Sequence, residues 1–309
     1  MASGSDLIAA AALIDDLIFA DGTRHDSIPG GAGLYALAGA ALFSDDVVLV
    51  TGTGDDLPLT FGPWMDRNGL GKHGLRIADP HAPRNILRYL DEHTRTETPT
   101  FGYEHFRRIE PTAGDIGTVI AGARSAYIFR NTDPLFWSDV IDLKRRHGLL
   151  LLWEIGLDAC SPGERPAIER LLEQVDAFSL NLDEAALIFE TRAEDRLVNH
   201  LQALPVPRTF LRAGRRGSLA ITRTEAHFLP SLHTQPVDVT GGGNAYSGAA
   251  LVGLAEGKSP QTAAAMGTVA ASLAIGQFGP YEPRDPSVRL KAQSLLKNLL
   301  AQLTEGAAE

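Results

Sequence analysis

Between residues 126 and 189 the sequence alternates regularly between short apolar runs and helical patterns. The runs at 126–129, 149–154 and 177–180 are each followed by a helical stretch, at 134–147, 162–174 and 183–189. Because parallel strands must be joined by a crossover, this alternation predicts an α/β fold with a parallel sheet and helices on both faces. Further apolar runs predict buried strands at Leu7–Ile14 and Val47–Thr51, and short strands at 209–212, 219–222 and 226–229.

Chain length, net charge, apolar runs and cysteine count limit the class of protein. The chain has 309 residues and a net charge of −10 with scattered Lys and Arg, so we expect no nucleic-acid partner. No apolar run is long enough to cross a membrane, so we expect no membrane partner. One cysteine, Cys160, excludes an intrachain disulfide framework, and the first residues lack the basic region of a signal peptide. We expect a cytoplasmic globular protein.

A triple glycine in the C-terminal third of the chain is the strongest ligand-binding signal. Residues 238–240 are followed by Gly241, Gly242 and Gly243 and then by a small-residue helical pattern, and this predicts a strand-to-helix turn. Bare backbone N–H groups at such a helix N-terminus form an anion site. Asn244 follows, where a phosphate-handling enzyme usually needs a carboxylate.

Two earlier stretches are open to a structural or a functional interpretation. Asp15-Asp16 ends the first apolar run, where α/β sheets bind ligands, but strand-end solvation explains it equally well. Gly30-Gly31 opens a small-residue helix at 34–43, either for close approach of a ligand or as a plain tight loop.

Two polar segments and one weak motif complete the pattern. Residues 17–27 predict a hairpin turning at Asp21-Gly22, and residues 84–90 and 94–103 predict either strands lying over a pocket or an exposed hairpin. Gly52-Thr53-Gly54 is two-thirds of a dinucleotide fingerprint, but Leu57 takes the place of the third glycine. We therefore disfavour a nicotinamide-dependent dehydrogenase.

Taken in order, these stretches resemble the ribokinase-like (PfkB) family of carbohydrate and nucleoside kinases. The resemblance rests on six motifs along nearly the whole chain: Asp15, Gly30-Gly31, Thr53-Gly54-Asp55-Asp56, Asn181-Leu182-Asp183-Glu184, the Arg212–Gly217 turn and Asp238–Asn244. Gly-Gly-Gly-Asn, Trp153-Glu154 and the segment 267–272 are similar to the branch of the fungal maintenance-of-killer proteins.

The resemblance implies a three-layer α/β/α fold with a central, mostly parallel sheet and a small β-lid. It implies one domain over residues 1–309, with lid segments at about 17–29 and 84–110, and possible pairing of lids in a homodimer. It also implies transfer of a phosphoryl group from ATP to a hydroxyl of a small polyol such as a sugar or nucleoside, with Mg²⁺ held by Glu184 through water.

The resemblance also assigns roles to residues. The substrate would be bound by Asp15, Gly30, Gly31, Tyr35 and Arg84. ATP would be bound by Asn181, Glu184, Arg212, Gly214, Gly217, Thr240 and Thr268. Transfer would take place at Gly241, Gly242, Gly243 and Asn244.

Asn244 stands where the family has its catalytic aspartate. An amide cannot act as a general base, and loss of such a base costs about 10²–10⁴ in rate, or about 3–5 kcal/mol of barrier. Two hypotheses therefore stay open. The chain is a kinase that uses another base, such as Asp15 or Asp238, or it is a catalytically impaired relative that binds a nucleotide or metabolite in a regulatory role.

Overall fold

A computed structural model describes residues 4–90 and 95–305. Within these residues there are thirteen strands: β1 Ser5–Ala9, β2 Leu13–Ile18, β3 Arg24–Gly30, β4 Val47–Gly54, β5 Leu75–Asp79, β6 Arg84–Tyr89, β7 Arg95–Pro99, β8 Ala123–Arg130, β9 Leu150–Ile155, β10 Ala177–Asn181, β11 Thr209–Arg212, β12 Ser218–Ile221 and β13 Ala226–Leu229. The same residues form eleven α-helices: α1 Gly31–Ala41, α2 Gly62–Arg67, α3 Gly102–Ile109, α4 Ala113–Val119, α5 Pro134–His147, α6 Arg165–Leu172, α7 Leu182–Phe189, α8 Glu194–Gln202, α9 Gly242–Ala255, α10 Pro260–Ala274 and α11 Pro286–Glu305.

Nine strands form the central sheet in the order β13-β12-β11-β10-β9-β8-β1-β4-β5. From β11 to β5 neighbouring strands are parallel, and β12 and β13 are added antiparallel at one edge. Parallel strands buried on both faces need apolar residues at successive positions. In β9, Leu151 and Trp153 enter the core on one face and Leu152 enters the core on the other.

Helices cover both faces of this sheet, so the fold has three layers. Buried residues of α1, α9, α10 and α11 belong to one core cluster, and those of α4 to α8 belong to the other. The predicted three-layer α/β/α architecture is therefore confirmed. No helix of residues 4–90 and 95–305 combines the length and the apolar character needed to span a membrane.

The first apolar run is divided between two sheets, so the prediction of one strand over Leu7–Ile14 is wrong. Strand β1 ends at Ala9, and after a bend the chain enters β2 of a second sheet. The bend is buried by the first turn of α1, where the Gly33 N–H donates to the Ala11 carbonyl at 2.8 Å. Asp15 and Asp16 consequently lie inside β2 and not at the end of a central strand.

The second sheet has four strands in the order β3-β2-β6-β7, and we refer to it as the lid sheet. It contains the hairpin predicted for 17–27, as β2 and β3, and the strand pair predicted for 84–103, as β6 and β7. Residues 91–94 of that second segment lie outside the described residues. The connection from β7 continues into α3.

One further expectation is wrong, and one helix was not expected. No strand leads into the triple glycine, because the N–H groups of Val237 and Asp238 both donate to the Ile275 carbonyl and the Asp238 carboxylate accepts from the Thr240 N–H at 2.9 Å. This local turn replaces the expected strand. Helix α8 was not predicted, since its short sequence has only two fully buried apolar side chains, Leu197 and Leu201.

Candidate functional site

The triple glycine forms a left-handed turn at the start of α9. Gly241 is the N-cap residue with φ of +76°, a region that L side chains rarely adopt. A Cβ at Gly241 would lie 2.0 Å from the Tyr35 ring, so the turn sits directly on that ring. The N–H groups of the first turn of a helix have no partner within the helix. The turn therefore offers backbone donors to an anion.

Arg212 lies directly against this turn from the sheet side. A Cβ on Gly243 would be 2.0 Å from Arg212 Nη1, so only glycine leaves room for the guanidinium. Arg212 ends β11, and its side chain is 11% exposed. A buried positive charge at a helix N-terminus strengthens an anion site.

Two carboxylates hold Arg212 in place. Its Nη1 donates to Glu154 Oε1 at 2.7 Å, and its Nη2 donates to Glu184 Oε2 at 3.4 Å. Burial opposes the charged form of Arg212, but the two carboxylates outweigh it and raise its pKa. Burial raises the pKa of Glu184, and Arg212 partly offsets that increase. The three side chains form one coupled, buried cluster.

Asn244 is connected to the same cluster. Its Nδ2 donates to the Tyr127 hydroxyl at 3.1 Å and to Glu154 Oε1 at 3.2 Å. The Tyr127 hydroxyl in turn donates to Glu154 Oε2 at 3.0 Å, and burial raises the pKa of Tyr127 well above its usual value. A neutral tyrosine hydroxyl can accept from Asn244 and donate to Glu154 at the same time.

A large cavity of about 700 Å³ lies on one side of the glycine turn. Gly242, Gly243 and Arg212 form its inner end. Its walls include three further residues that the resemblance assigned to ATP, Gly214, Gly217 and Thr268, and also Arg215. Val239, Ala271 and Ile275 add an apolar surface of the kind that receives a flat base.

A smaller cavity of about 250 Å³ lies on the other side of the turn, beneath the lid sheet. Gly241 and Asn244 line its inner end, and Asp15 and Tyr35 line its wall. The Asp15 carboxylate packs on Gly30, where a Cβ would be 2.1 Å from Oδ2. The two cavities therefore share the glycine turn, which lies between them.

Glu110, which lines the small cavity together with Asp15 and Glu97, was not predicted from the sequence. Arg130 Nη1 donates to Glu110 Oε2 at 2.6 Å, and the Arg130 guanidinium lies 4.7 Å from the centre of the Phe136 ring. Burial raises the pKa of Glu110, while Arg130 acts in the opposite direction. Glu110 is thus a carboxylate with an increased proton affinity in the same cavity as Asn244.

Several predicted site residues lie elsewhere. Arg84 does not line the small cavity, because its Nη1 binds Asp16 within the lid sheet at 2.8 Å. Asp238 does not line it either, since its carboxylate accepts from the Tyr89 hydroxyl and from the Thr240 N–H. Thr240, assigned to ATP, lines the small cavity instead of the large one.

Asn181 and Glu184 form the N-terminal cap of α7. The Glu184 N–H donates to Asn181 Oδ1 at 2.9 Å, and the Asn181 N–H donates to Glu184 Oε2 at 2.6 Å. Such a capping box accounts for the Asn-x-x-Glu spacing by local structure alone. It also aims Glu184 at Arg212, so a local motif positions part of the buried cluster.

The donor set around Glu184 fits a magnesium ion held through water. Both hydrogen bonds of the Glu184 side chain use Oε2, so within the described residues its Oε1 has no hydrogen-bond donor. The described residues contain no cluster of three or more His, Cys, Asp or Glu side chains suited to a metal. Mg²⁺ commonly keeps several waters and takes one or two carboxylates together with phosphate oxygens.

The glycines of the weak dinucleotide motif have a packing role. Gly52 and Gly54 lie within β4, and a Cβ on Gly54 would be 2.0 Å from the Ala82 nitrogen. The chain there forms a strand and not a phosphate-binding turn.

Comparisons with known proteins show a likeness to the same family that the motifs resemble. The family model described as pfkB family carbohydrate kinase matches residues 136–287. Ribokinase of Bacillus subtilis is 24% identical over 273 residues, covering 84% of this chain and 85% of the relative. Protein MAK32 of Saccharomyces cerevisiae is 24% identical over 322 residues, covering 88% and 85%.

A solved structure extends the likeness to three dimensions. Arabidopsis thaliana ribokinase complexed with ribose and ATP has a TM-score of 0.72 at 18% identity, covering 96% of this chain and 99% of that one. At this identity the structure shows a shared fold. The predicted resemblance to the ribokinase-like PfkB family and to the maintenance-of-killer branch is confirmed.

Proposed function

We propose that this chain transfers the γ-phosphoryl group of ATP to a hydroxyl of a sugar, nucleoside or related polyol. One observation carries the proposal: a large and a small cavity meet at the same glycine turn, with a buried arginine beneath it. Phosphoryl transfer depends mainly on positioning and charge neutralisation, and a shared anion site between two ligand cavities provides both.

The large cavity receives ATP. Its apolar wall suits the base, and the phosphates extend toward Gly242, Gly243 and Arg212. Backbone donors of the turn then stabilise the negative charge on the transferring group. Mg²⁺, held through water by Glu184, would neutralise phosphate charge. That the Arabidopsis relative was solved with ATP supports this assignment.

The small cavity receives the acceptor. About 250 Å³ is below the 300–1,000 Å³ usual for drug-sized ligands, so a small polyol is favoured. Asp15 accepts hydrogen bonds from acceptor hydroxyls, and the lid sheet covers the cavity and excludes water.

In the reaction, the acceptor oxygen forms a bond to the γ-phosphorus as the bond from that phosphorus to the bridging oxygen of ADP breaks. The hydroxyl proton goes to a carboxylate of the small cavity. Asp238 is excluded from this role by its position. Of the three carboxylates that line the cavity, Glu97 is exposed to solvent, which leaves Asp15 and Glu110. The raised pKa of Glu110 suits a proton acceptor near neutral pH.

The test is ADP formation by the purified protein with Mg-ATP and a panel of pentoses, hexoses and nucleosides. Glu110→Gln and Asp15→Asn are assayed beside the wild type, and the variant that removes the base loses about 10²–10⁴ in kcat. ATP binding is measured separately by calorimetry. Clear ATP binding with no acceptor-dependent ADP would refute the kinase proposal and favour a nucleotide-binding, regulatory role.

A further inference from the structure

The side-chain amide of Asn244 has both of its hydrogens committed below the cavity. One is donated to the Tyr127 hydroxyl at 3.1 Å and the other to Glu154 Oε1 at 3.2 Å. An asparagine side chain has two N–H donors and one carbonyl acceptor. With both donors used, its Oδ1 is the group that Asn244 offers to the small cavity.

Glu154 determines this orientation. If the amide were reversed, Oδ1 would lie 3.2 Å from a carboxylate oxygen with no proton between them. Glu154 is 3% exposed, so water cannot relieve such a contact. The Glu154 carboxylate therefore selects one of the two amide orientations.

The same contact limits the charge that positions 154 and 244 can carry together. The ionisable groups around Glu154 are Tyr127, Arg212 and Glu184, and only Arg212 is positive. Arg212 is already shared by Glu154 and Glu184. A third carboxylate, at position 244, would lie against Glu154 without a cation of its own.

We propose that Glu154 is a positioning residue which fixes Asn244 with its Oδ1 toward the acceptor, and that the 154/244 pair holds one carboxylate, here on Glu154. The part that concerns the acceptor rests on the proposed kinase function. Asn244 Oδ1 accepts a hydrogen bond from an acceptor hydroxyl next to the reacting one and so aligns the acceptor, while the proton of the reacting hydroxyl leaves to a carboxylate of the cavity.

Four proteins test this proposal: the wild type, Asn244→Asp, Glu154→Gln and the double variant N244D/E154Q, which moves the negative charge from 154 to 244. The first measurement is thermal unfolding without ligand at pH 6 and pH 8. We expect N244D to unfold at a lower temperature than the wild type at pH 8, the difference to narrow at pH 6, and the double variant to recover part of the loss.

The second measurement is hydrogen exchange of the Asn244 side-chain NH₂ by NMR, assigned by its loss in N244D. Exchange is slow in the wild type and at least tenfold faster in E154Q if Glu154 holds the amide. If Glu154 only filled space, the E154Q substitution would leave this exchange unchanged, because glutamine has nearly the same shape as glutamate.

The third measurement is ADP formation with the acceptor that the wild type uses. E154Q lowers kcat at least tenfold, and the kcat of N244D/E154Q exceeds that of N244D by at least tenfold.

The outcomes separate the two proposals. Absence of turnover in the wild type refutes the proposed function, while unfolding and exchange still decide the Glu154 proposal. The Glu154 proposal is overturned if N244D has wild-type stability at both pH values, or if exchange of the Asn244 NH₂ group is unchanged in E154Q. If N244D is insoluble, a soluble double variant supports the proposal and an insoluble one overturns it.

Discussion

Removing the positive charge of Arg212 should destabilise the protein in a pH-dependent way. The guanidinium is buried against Glu154 and Glu184, at 2.7 and 3.4 Å. Arg212→Met keeps much of the side-chain length but leaves two carboxylates facing each other. Breaking a buried pair by removing one partner typically costs about 3–5 kcal/mol, because a buried charge is left uncompensated. We expect a loss of this size at pH 8.

The sign of the pH dependence follows from Glu184. Burial already raises its pKa, and Arg212 partly offsets that increase, so the variant raises the pKa further. A free glutamate in the unfolded chain ionises at about pH 4.3. Above that pH the folded variant binds more protons than its unfolded state, so its stability falls as pH rises through the folded pKa. The loss relative to the wild type is therefore smaller at pH 5.5 than at pH 8.

The measurement is the free energy of unfolding from urea titrations at both pH values, with Arg216→Met as the matched control. Arg216 lies next to Gly217 in the turn after β11 and forms an exposed pair with Glu194, worth about 0–1 kcal/mol. A cost below about 1 kcal/mol for Arg212→Met at pH 8, or an equal cost at both pH values, would show that the cluster is not an electrostatically coupled unit.

Three further predictions concern groups around the site. Gly243→Ala should weaken ATP binding at least tenfold by calorimetry, because its Cβ would displace the Arg212 guanidinium beneath the turn. The control is Gly117→Ala, where a Cβ has ordinary space. This control should leave ATP binding unchanged and raise the free energy of unfolding by up to about 1 kcal/mol. Tyr89→Phe removes the 2.8 Å bond from the lid sheet to Asp238, and we expect the KM for the acceptor to rise about fivefold, near 1 kcal/mol, with ATP affinity unchanged. Burial raises the pKa of Cys160 to about 12, so iodoacetamide at pH 8 should modify it in urea and not in the folded protein, as mass spectrometry would show.

The central strands were predictable because burial on both faces produces uninterrupted apolar runs. The predicted helix Pro134–His147 has the same bounds in the structure, since Asp133 caps it and Gly148 ends it in a left-handed conformation. The split of residues 7–14 was not predictable. Ala10, at the bend, is as apolar as its neighbours. The bend depends on the close approach of Gly33, which belongs to helix α1 and lies further along the chain.

The site was only partly predictable for a related reason. The glycine turn carries a local signal, whereas the significance of Asn244 depends on Glu154, 90 residues away in the chain. From the sequence, Glu154 enters only through the resemblance to one branch of the family. Tyr127, buried in an apolar strand, resembles any core aromatic residue in sequence.

A general rule for parallel sheets would nevertheless have found Glu154. The carboxyl ends of parallel strands meet at one edge, where α/β proteins bind ligands. Strand β9 is apolar from Leu150 until Glu154, and sheet register places Glu154 beside Phe129 of β8 and Ser179 of β10. Glu154 is buried, so its charge must meet an opposite charge or a hydrogen-bond donor on a neighbouring element. The arginine that ends β11 and the asparagine that begins α9 are these partners, which means that the amide at 244 and the carboxylate at 154 have to be interpreted together.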